Sequence, residues 1–399
     1  MRINRNYLRL TDNYLFSTIA AKTRAYQDSH PRQPLIKLSI GDVSRPLPAP
    51  VVQALRDASN EMGQAATFHG YGPETGYPWL KAAIKDYYQT TKGVTLDPTE
   101  IIVSDGAKSD VANLLDIFDP HCTVAMTDPV YPVYWESNVM AGHKIKLLKA
   151  TAANQFLPLP SRHAKADIIY LCNPANPTGV CYTREQLKQW VDFAIKHHAI
   201  ILYDAAYEAF VRDPQLPTSI YQIDGARRCA IEVCSLSKTA GFTGLRCGYT
   251  VVPTELTAKG VSLNHLWQRR QTAKFNGVSY PIQRAAAAVF SPTGWAAVQR
   301  NLRYYQRNTA LIVQTLATMQ WQYVGGVHSP YVWVRCPQGQ TAWQFFDYLL
   351  SSAGIVCTPG IGFGQSGEHY VRLTGFNTYA QTRRACRLLS QVLAKFNQK

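Results

Sequence analysis

The stretch SLSKTAGFTGLR, residues 235–246, places Lys238 between two serines and a glycine-spaced segment that ends on Arg246. Small residues around a lysine let a bulky group approach its amine, and serine hydroxyls with an arginine suit a phosphate. A buried lysine that is partly unprotonated is also the residue type for Schiff-base chemistry. We interpret Lys238 as the residue that holds pyridoxal phosphate; the alternative is a surface lysine in a serine- and glycine-rich loop.

The sequence on both sides of this stretch predicts alternating strands and helices with short connections. Apolar runs predicted as strands lie at residues 101–103, 123–126, 168–172, 199–204 and 230–234. Such alternation is typical of an α/β domain with a mainly parallel sheet, in which ligands bind at the carboxyl ends of the strands. The turn at residues 104–110, the loop at residues 173–179, Asp204 and the stretch around Lys238 all follow such runs.

The pattern changes after about residue 260. Helices are predicted at residues 263–273, at 281–320 with a break near residues 291 and 292, and at 378–395, and strands at 331–335 and 370–373. These elements predict a smaller α+β domain. We therefore predict a large α/β domain at residues 35–275, and a small domain made of residues 276–399 with residues 1–34 as an N-terminal arm.

Composition and charge limit the classes of protein to which the chain can belong. The chain has 399 residues, of which 46% are hydrophobic and 17% are charged, as in a globular protein of roughly two domains. Its net charge is +15, but the basic residues are scattered, without a basic tail, zinc-finger spacing or RNA-binding aromatic motif. We attribute the charge to general solvation and an anion-binding site, and expect neither a nucleic-acid partner nor a metal site.

The cysteines and the apolar runs predict the compartment. The nine cysteines are dispersed, odd in number and never spaced as Cys-x-x-Cys, which favours a reducing compartment over a disulfide framework. The N-terminus has no apolar signal region, and no window approaches about eighteen consecutive apolar residues. We expect a cytoplasmic protein that does not associate with a membrane.

The motifs at the predicted strand ends resemble those of the class I and II aminotransferases, which are fold-type I enzymes dependent on pyridoxal phosphate. They are, in order, Asn-Pro-x-Asn-Pro-Thr-Gly at residues 173–179, Asp204-x-x-Tyr207, Ser-x-Ser-Lys238 with Gly-x-Arg246, and a late Arg372. The resemblance implies a large domain with a mainly parallel, seven-stranded sheet flanked by helices, and a smaller α+β domain. It also implies a homodimer and small amino-acid and keto-acid substrates.

Over nearly the whole chain, the sequence is further similar to LL-diaminopimelate aminotransferases. The segments that carry this similarity lie at residues 13–16, 38–42, 70–74, 105–108, 128–132, 204–207, 240–244, 275–277 and 358–364. The implied reaction exchanges an amino group between glutamate and the open keto form of tetrahydrodipicolinate. Two alternatives stay open: an aminotransferase or lyase acting on another amino acid, and a non-catalytic regulatory module that binds pyridoxal phosphate.

The resemblance implies roles for a catalytic group formed by Lys238, Asp204 and Tyr207. Lys238 would bind the cofactor and then carry a proton between the substrate α-carbon and the cofactor. Asp204 follows a run of apolar residues, so its carboxylate needs a buried partner, which the resemblance identifies as the ring nitrogen of the cofactor. Tyr207 and Asn176 would hydrogen-bond the ring hydroxyl, and Tyr131 would stack on the ring.

By the same resemblance, the phosphate would be bound by backbone groups of a strand-to-helix turn and by side chains around Lys238. These residues are Ala107, Lys108, Ser235, Ser237 and Arg246. A turn of small residues that opens a helix presents N–H groups to an anion. Tyr71 would reach the phosphate from the neighbouring subunit, so each active site would be shared between the two chains of a homodimer.

Arg372 is predicted to bind the substrate α-carboxylate in a planar two-point contact, assisted by Asn276, which is also counted among the cofactor contacts. The implied substrate residues are Tyr14, Gly41, Glu74, Lys108, Tyr131, Asn176, Asn276 and Arg372. Glu74 would come from the neighbouring subunit. The chain departs from the family at residues 43–45, where two threonines and an acidic or amide residue are usual. We therefore expect Arg45 to bear on the specificity for the far end of the substrate.

Overall fold

The computed structural model describes residues 1–10, 15–39 and 41–397, and its elements follow the predicted alternation. The helices are α1 Leu15–Ser29, α2 Ala49–Met62, α3 Pro78–Tyr87, α4 Ala107–Asn113, α5 Pro132–Ala141, α6 Arg184–His197, α7 Leu236–Thr239, α8 Leu263–Lys274, α9 Tyr280–Phe290, α10 Pro292–Thr318, α11 Ala342–Ala353 and α12 Tyr379–Asn397. The strands are β1 Ile36–Lys37, β2 Ile101–Ser104, β3 Thr123–Asp128, β4 Lys144–Lys149, β5 Ile168–Cys172, β6 Ile200–Asp204, β7 Ala230–Ser235, β8 Gly248–Val251, β9 Thr257–Ala258, β10 Val261–Ser262, β11 Tyr323–Gly325, β12 Tyr331–Arg335, β13 Ile355–Val356, β14 Thr358–Pro359 and β15 Tyr370–Thr374.

A seven-stranded sheet in the order β2-β8-β7-β6-β5-β3-β4 forms the centre of the fold. Strands β3 to β7 are parallel to their neighbours among themselves, whereas β8 runs antiparallel to both β2 and β7. The inner strands β6 and β7 are buried along their whole length, as a sheet covered by helices on both faces requires. The predicted α/β fold with a mainly parallel seven-stranded sheet is confirmed.

Two strands of this sheet were absent from the prediction. Strand β4 lies at the edge of the sheet and has the sequence KIKLLK, whose three lysines are exposed. These lysines interrupt the apolar run that is expected of a strand. Strand β8 has four residues, beginning at Gly248, and returns antiparallel directly after the segment that ends on Arg246. Four residues are too few to predict a strand from their pattern, and the neighbouring strands of the sheet determine the extended conformation of β8.

A second, antiparallel sheet of order β11-β12-β15-β14 lies with α11 and α12 around a separate apolar cluster. Strand β1 pairs with β13, and Ile36 and Leu38 pack in this cluster, although the prediction placed them in the large domain. Helix α9 packs on α2 and α3 and contributes Ala285 and Val289 to the large cluster, although the prediction placed it in the small domain. From this packing we propose domain limits after Leu38 and after α9, in place of residues 35 and 275.

The remaining expectations concern the termini, the cysteines and the membrane. Helix α1 begins at Leu15 within the predicted N-terminal arm, and Tyr14 lies outside the described residues. All nine cysteines are unpaired. Across residues 1–10, 15–39 and 41–397, no helix is both long and apolar enough to span a bilayer.

Candidate active site

A cleft of about 360 Å³ opens at the carboxyl ends of the parallel strands. It is lined by Asp42, Ala107, Lys108, Tyr131, Tyr134, Cys172, Asn176, Asp204, Ala206, Tyr207, Ser235, Ser237, Lys238, Thr243 and Arg246. The structure therefore brings together all predicted cofactor-binding residues except Tyr71 and Asn276. A larger cleft of about 650 Å³ lies beside α1 and α5, but its lining is mainly apolar and contains none of the predicted site residues.

Lys238 lies on the single-turn helix α7, directly after β7. Ser235 caps this helix by accepting a hydrogen bond from the Ser237 N–H at 3.1 Å, which fixes where the chain turns out of the sheet. Burial lowers the pKa of the Lys238 amine to about 8; the Asp42 carboxylate opposes this shift, and Arg372 and Arg246 add to it. The amine is therefore close to the balance between ammonium and free base near neutral pH.

Asp204 is the last residue of β6, and its side chain is buried. It accepts hydrogen bonds from the Tyr134 hydroxyl and, at 3.0 Å, from the Ala206 N–H. Burial raises the pKa of this carboxyl group, and the Tyr134 hydrogen bond opposes that effect. Sequence reasoning missed Tyr134, although it stands one helical turn after Tyr131 on α5, where a residue three positions on shares the same face.

Arg372 lies on β15 and is almost fully buried, with 1% of its surface exposed. Its guanidinium donates to Asn176 Oδ1 at 2.7 Å and to the Ser39 carbonyl at 3.0 Å. It also lies 4.2 Å from the centre of the Tyr331 ring and 4.8 Å from that of Phe363. Among the residues that the structure describes, this buried guanidinium is held by an amide and a carbonyl and is not paired with a carboxylate, so the site is suited to an anion.

Two features next to Arg372 complete this end of the site. Tyr207 and Tyr331 share a hydrogen bond of 2.8 Å between their hydroxyl groups, so Tyr331 is a second residue that the sequence did not predict. A Cβ atom at Gly41 would stand 2.6 Å from the Tyr331 hydroxyl and 3.9 Å from Arg372 Nη2. Position 41 thus has no room for a side chain, and its predicted contact with the substrate stays a prediction.

The turn between β2 and α4 lies against Arg246. Helix α4 begins at Ala107, earlier than the predicted start at residue 111, and its N-cap Gly106 has φ 125°. A Cβ atom at Gly106 would lie 2.6 Å from Arg246 Nη2, so glycine is required for this close approach. Arg246 also donates to Ser237 Oγ at 3.2 Å and to the Thr243 carbonyl at 3.3 Å.

These groups fit pyridoxal phosphate. Donors suited to a phosphate gather at Arg246, Ser237 and the first N–H groups of α4, while the amine of Lys238 and the buried carboxylate of Asp204 line the same cleft. A phosphorylated pyridine aldehyde needs these three features, namely an anion site, an amine and a carboxylate for the ring nitrogen.

Three predicted residues lie elsewhere in the chain. Tyr71 is 94% exposed and lines, together with Asn276, a separate cleft of about 540 Å³. A Cβ atom at Gly277 would stand 3.4 Å from the Cα atom of Glu74, so all three residues belong to this second location. Within one chain, the loop at residues 275–279 packs on the 69–77 loop rather than on the Lys238 cleft, so the contact of Asn276 with the cofactor stays a prediction.

Arg45 also differs from expectation. Its guanidinium lies 4.8 Å from the centre of the Tyr304 ring and donates to Asn301 Oδ1 at 3.3 Å. Its backbone N–H donates to the Tyr305 hydroxyl at 2.6 Å. These contacts hold the side chain on α10, and Arg45 is not among the residues that line the cleft.

The fold and the cleft define an enzyme of the fold-type I class, and comparison with known families gives its place within that class. The family model of aminotransferase class I and II matches residues 33–389, so the chain belongs to this family, whose members in general depend on pyridoxal phosphate. The resemblance to LL-diaminopimelate aminotransferases is confirmed by relatives over almost the full length.

Three relatives illustrate this similarity. The chain is 49% identical to the LL-diaminopimelate aminotransferase of Lawsonia intracellularis, over 98% of each chain. It is 48% identical to that of Bacteroides fragilis, over 94% of this chain and 95% of the relative. Among solved structures, the L,L-diaminopimelate aminotransferase of Chlamydomonas reinhardtii superposes with a TM-score of 0.92 at 36% identity, over 98% of both chains.

Proposed function

We propose that this chain interconverts the open keto form of tetrahydrodipicolinate and L-glutamate with LL-2,6-diaminopimelate and 2-oxoglutarate. The observation that carries the proposal is the 49% identity over 98% of both chains to an LL-diaminopimelate aminotransferase. The Lys238 cleft supports it, because a buried amine, a buried carboxylate and a buried guanidinium are the groups that transamination of a dicarboxylic amino acid requires. Such a reaction supplies precursors of lysine and peptidoglycan.

Pyridoxal phosphate would be held at both ends. Its phosphate would be bound by Arg246, Ser235, Ser237 and the N–H groups of Ala107 and Lys108. The hydrogen bond between Arg246 and Ser237 supports this arrangement. When bound, the cofactor supplies an aldehyde for reversible attachment of amino groups and a ring that withdraws electrons from the substrate α-carbon.

The catalytic work of the chain is done by proton-carrying groups. Asp204, kept in place by Tyr134 and the Ala206 N–H, would hold a proton on the ring nitrogen. Lys238 Nζ would take the proton from the substrate α-carbon and return it, because its lowered pKa lets the amine act both as base and as acid near neutral pH. Tyr207 would hydrogen-bond the ring hydroxyl, and Tyr131 would lie on the ring face.

Arg372 would orient the substrate by binding its α-carboxylate, with Asn176 already hydrogen-bonded to the same guanidinium. The far amino-acid group of diaminopimelate carries both charges, and Lys108 at the cleft is suited to its carboxylate. The other proposed substrate contacts are Tyr14, Gly41, Asn276 at the α-carboxylate and, from the neighbouring subunit, Glu74.

The assay that tests this function compares single amino donors with 2-oxoglutarate as the acceptor. We expect kcat/KM for LL-diaminopimelate to exceed that for aromatic and aliphatic amino acids by about 100-fold or more, because a site built for a second charged group rejects substrates that lack it. A higher kcat/KM for an aromatic or aliphatic amino acid than for LL-diaminopimelate would contradict the proposed substrate. Absence of any change in the cofactor spectrum on adding glutamate would instead favour the regulatory module.

We also propose that the active unit is a homodimer with shared sites. The exposure of Tyr71 and the separation of Glu74 and Asn276 from the Lys238 cleft support this arrangement. Mixing two inactive variants, Lys238→Ala and Tyr71→Ala, in equal amounts should restore about a quarter of wild-type activity, because half of the dimers are hybrids with one intact site. If each active site were formed by the residues of one chain alone, the mixture of the two variants would stay inactive.

A cytoplasmic location remains part of the proposal. The nine unpaired cysteines support a reducing compartment. Six of them are buried, so they behave as small apolar core residues rather than as reactive thiols.

A further inference from the structure

Asp110 on α4 is a buried carboxyl group next to the turn that carries the proposed phosphate site. Its side chain has 0% exposure, and one carboxyl oxygen shares a hydrogen bond with Ser104 Oγ. Ser104 Oγ in turn accepts a hydrogen bond from the Gly106 N–H at 3.3 Å. Asp110 is therefore connected through one hydroxyl group to the N-cap of the helix that begins at Ala107.

The other oxygen of Asp110, Oδ1, is buried and has no hydrogen-bond partner in the part of the chain that the structure describes. A buried carboxylate with a bare oxygen costs far more free energy than the neutral acid, so this geometry favours the protonated form. Burial raises the pKa of Asp110 to about 8; the Ser104 hydrogen bond opposes the shift, and the charge of Asp105 adds to it.

The other charged and titratable groups that face Asp110 do not neutralise it. Arg270, on α8, is the facing cation and lowers its pKa, but Arg270 Nε is already paired with Asp116 at 2.9 Å. Asp204 adds negative charge from β6. The Cys247 thiol is neutral, because burial raises its pKa to about 12.

We propose that Asp110 is a positioning residue whose proton is coupled to phosphate binding. As a neutral acid it holds Ser104 and the Gly106 turn in place, whereas as a carboxylate it places a negative charge beside the bound dianion. Gly106 lies directly against the proposed phosphate ligand Arg246, since a Cβ atom at this position would stand 2.6 Å from Arg246 Nη2. This inference rests on the phosphate site of the proposed function.

Coupling between two sites is reciprocal. A bound dianion therefore raises the proton affinity of Asp110, and binding at a pH above the pKa of the free enzyme takes up a proton. Conversely, loss of that proton as the pH rises weakens binding of the anion. Proton uptake on anion binding, and the loss of anion affinity as the pH rises, are readouts that a purely structural role of Asp110 would not produce.

Sulfate is a suitable probe, because it is a dianion that does not titrate in the relevant pH range. The experiment measures its affinity for cofactor-free full-length protein in the Lys238→Ala background, where titration of that amine makes no contribution. With Asp110 present, we expect the affinity to fall about ten-fold between about pH 7 and about pH 9, because about a tenth of an acid with a pKa near 8 is protonated at the upper pH.

Two variants make the result specific. Asp110→Asn, which keeps a neutral polar group, should match the parent at about pH 6.5 and lose the pH dependence, staying within about two-fold up to about pH 9. Asp119→Asn, which removes an exposed acid close by on the chain that is paired with His121, should keep the full decline. An equal decline with Asn at position 110 would overturn the coupling.

A second measurement covers the case in which Asp110→Asn does not fold. Calorimetry of sulfate binding near about pH 8.5, in two buffers of different ionisation enthalpy, should show uptake of a substantial fraction of a proton. No uptake would overturn the proposal. Absence of sulfate binding at every pH would instead remove the phosphate site itself, and with it both the proposed function and the coupling.

Discussion

Replacement of Lys238 by alanine should abolish transamination, with a loss of at least about 10⁴-fold in kcat, because the variant lacks the group that moves the α-proton. Borohydride treatment should then no longer attach the cofactor to the chain. The cleft contains a second amine, that of Lys108, which is exposed where Lys238 is half-buried. Lys108→Ala is therefore the matched control and should keep the reducible linkage. A linkage that persists in Lys238→Ala but not in Lys108→Ala would reverse the assignment.

The same residue gives a dependence on pH. Only the free amine of Lys238 reacts with an aldehyde, and at a pKa of about 8 roughly a tenth of it is unprotonated near pH 7, against less than about 0.1% for an ordinary lysine. The rate of cofactor attachment to the cofactor-free enzyme should thus rise with pH and level off above about pH 8. Asp42 opposes the lowered pKa, so Asp42→Asn should move the midpoint to lower pH.

The sequence predicted the Lys238 cleft well because its residues follow apolar runs that end at one edge of a parallel sheet. Asn176, Asp204 and Lys238 each stand at or just after such an end, and parallel strand order then brings them together. The roles of these residues stay predictions, but their convergence on one cleft is what the structure shows.

The residues that were missed depend on contacts between distant parts of the chain. Tyr134 meets Asp204 across seventy positions of sequence, and Tyr331 meets Tyr207 across 124. No periodicity connects such pairs, because the contact arises only once two elements have packed. The position of Arg45 was not predictable for the same reason, because its contact with Tyr304 on α10 lies outside any pattern local to residues 41–50. Its bearing on specificity stays a prediction.

Arg372 should be the second most sensitive position. Its guanidinium is buried and donates to Asn176 and to the Ser39 carbonyl, so it is fixed before any substrate arrives. Removing one partner of a buried charge pair costs about 3–5 kcal/mol, so Arg372→Ala should lower kcat/KM for LL-diaminopimelate by about 10³-fold. Arg372→Lys should recover little, because one ammonium cannot reproduce two donors in a plane.

Comparing LL-diaminopimelate with an amine that lacks the α-carboxylate distinguishes carboxylate binding by Arg372 from a general effect on the fold. An amine that lacks the α-carboxylate offers nothing for Arg372 to bind, so its slow reaction should be unchanged by Arg372→Lys. Arg335→Lys, on the neighbouring strand β12 and exposed, is the control and should leave both substrates within about two-fold. Equal losses for both substrates would contradict the role, because they would mean that Arg372 supports the cleft rather than binding the carboxylate. Arg372 is buried without a carboxylate partner among the described residues, which supports carboxylate binding, since an uncompensated buried guanidinium is costly unless an anion binds it during turnover.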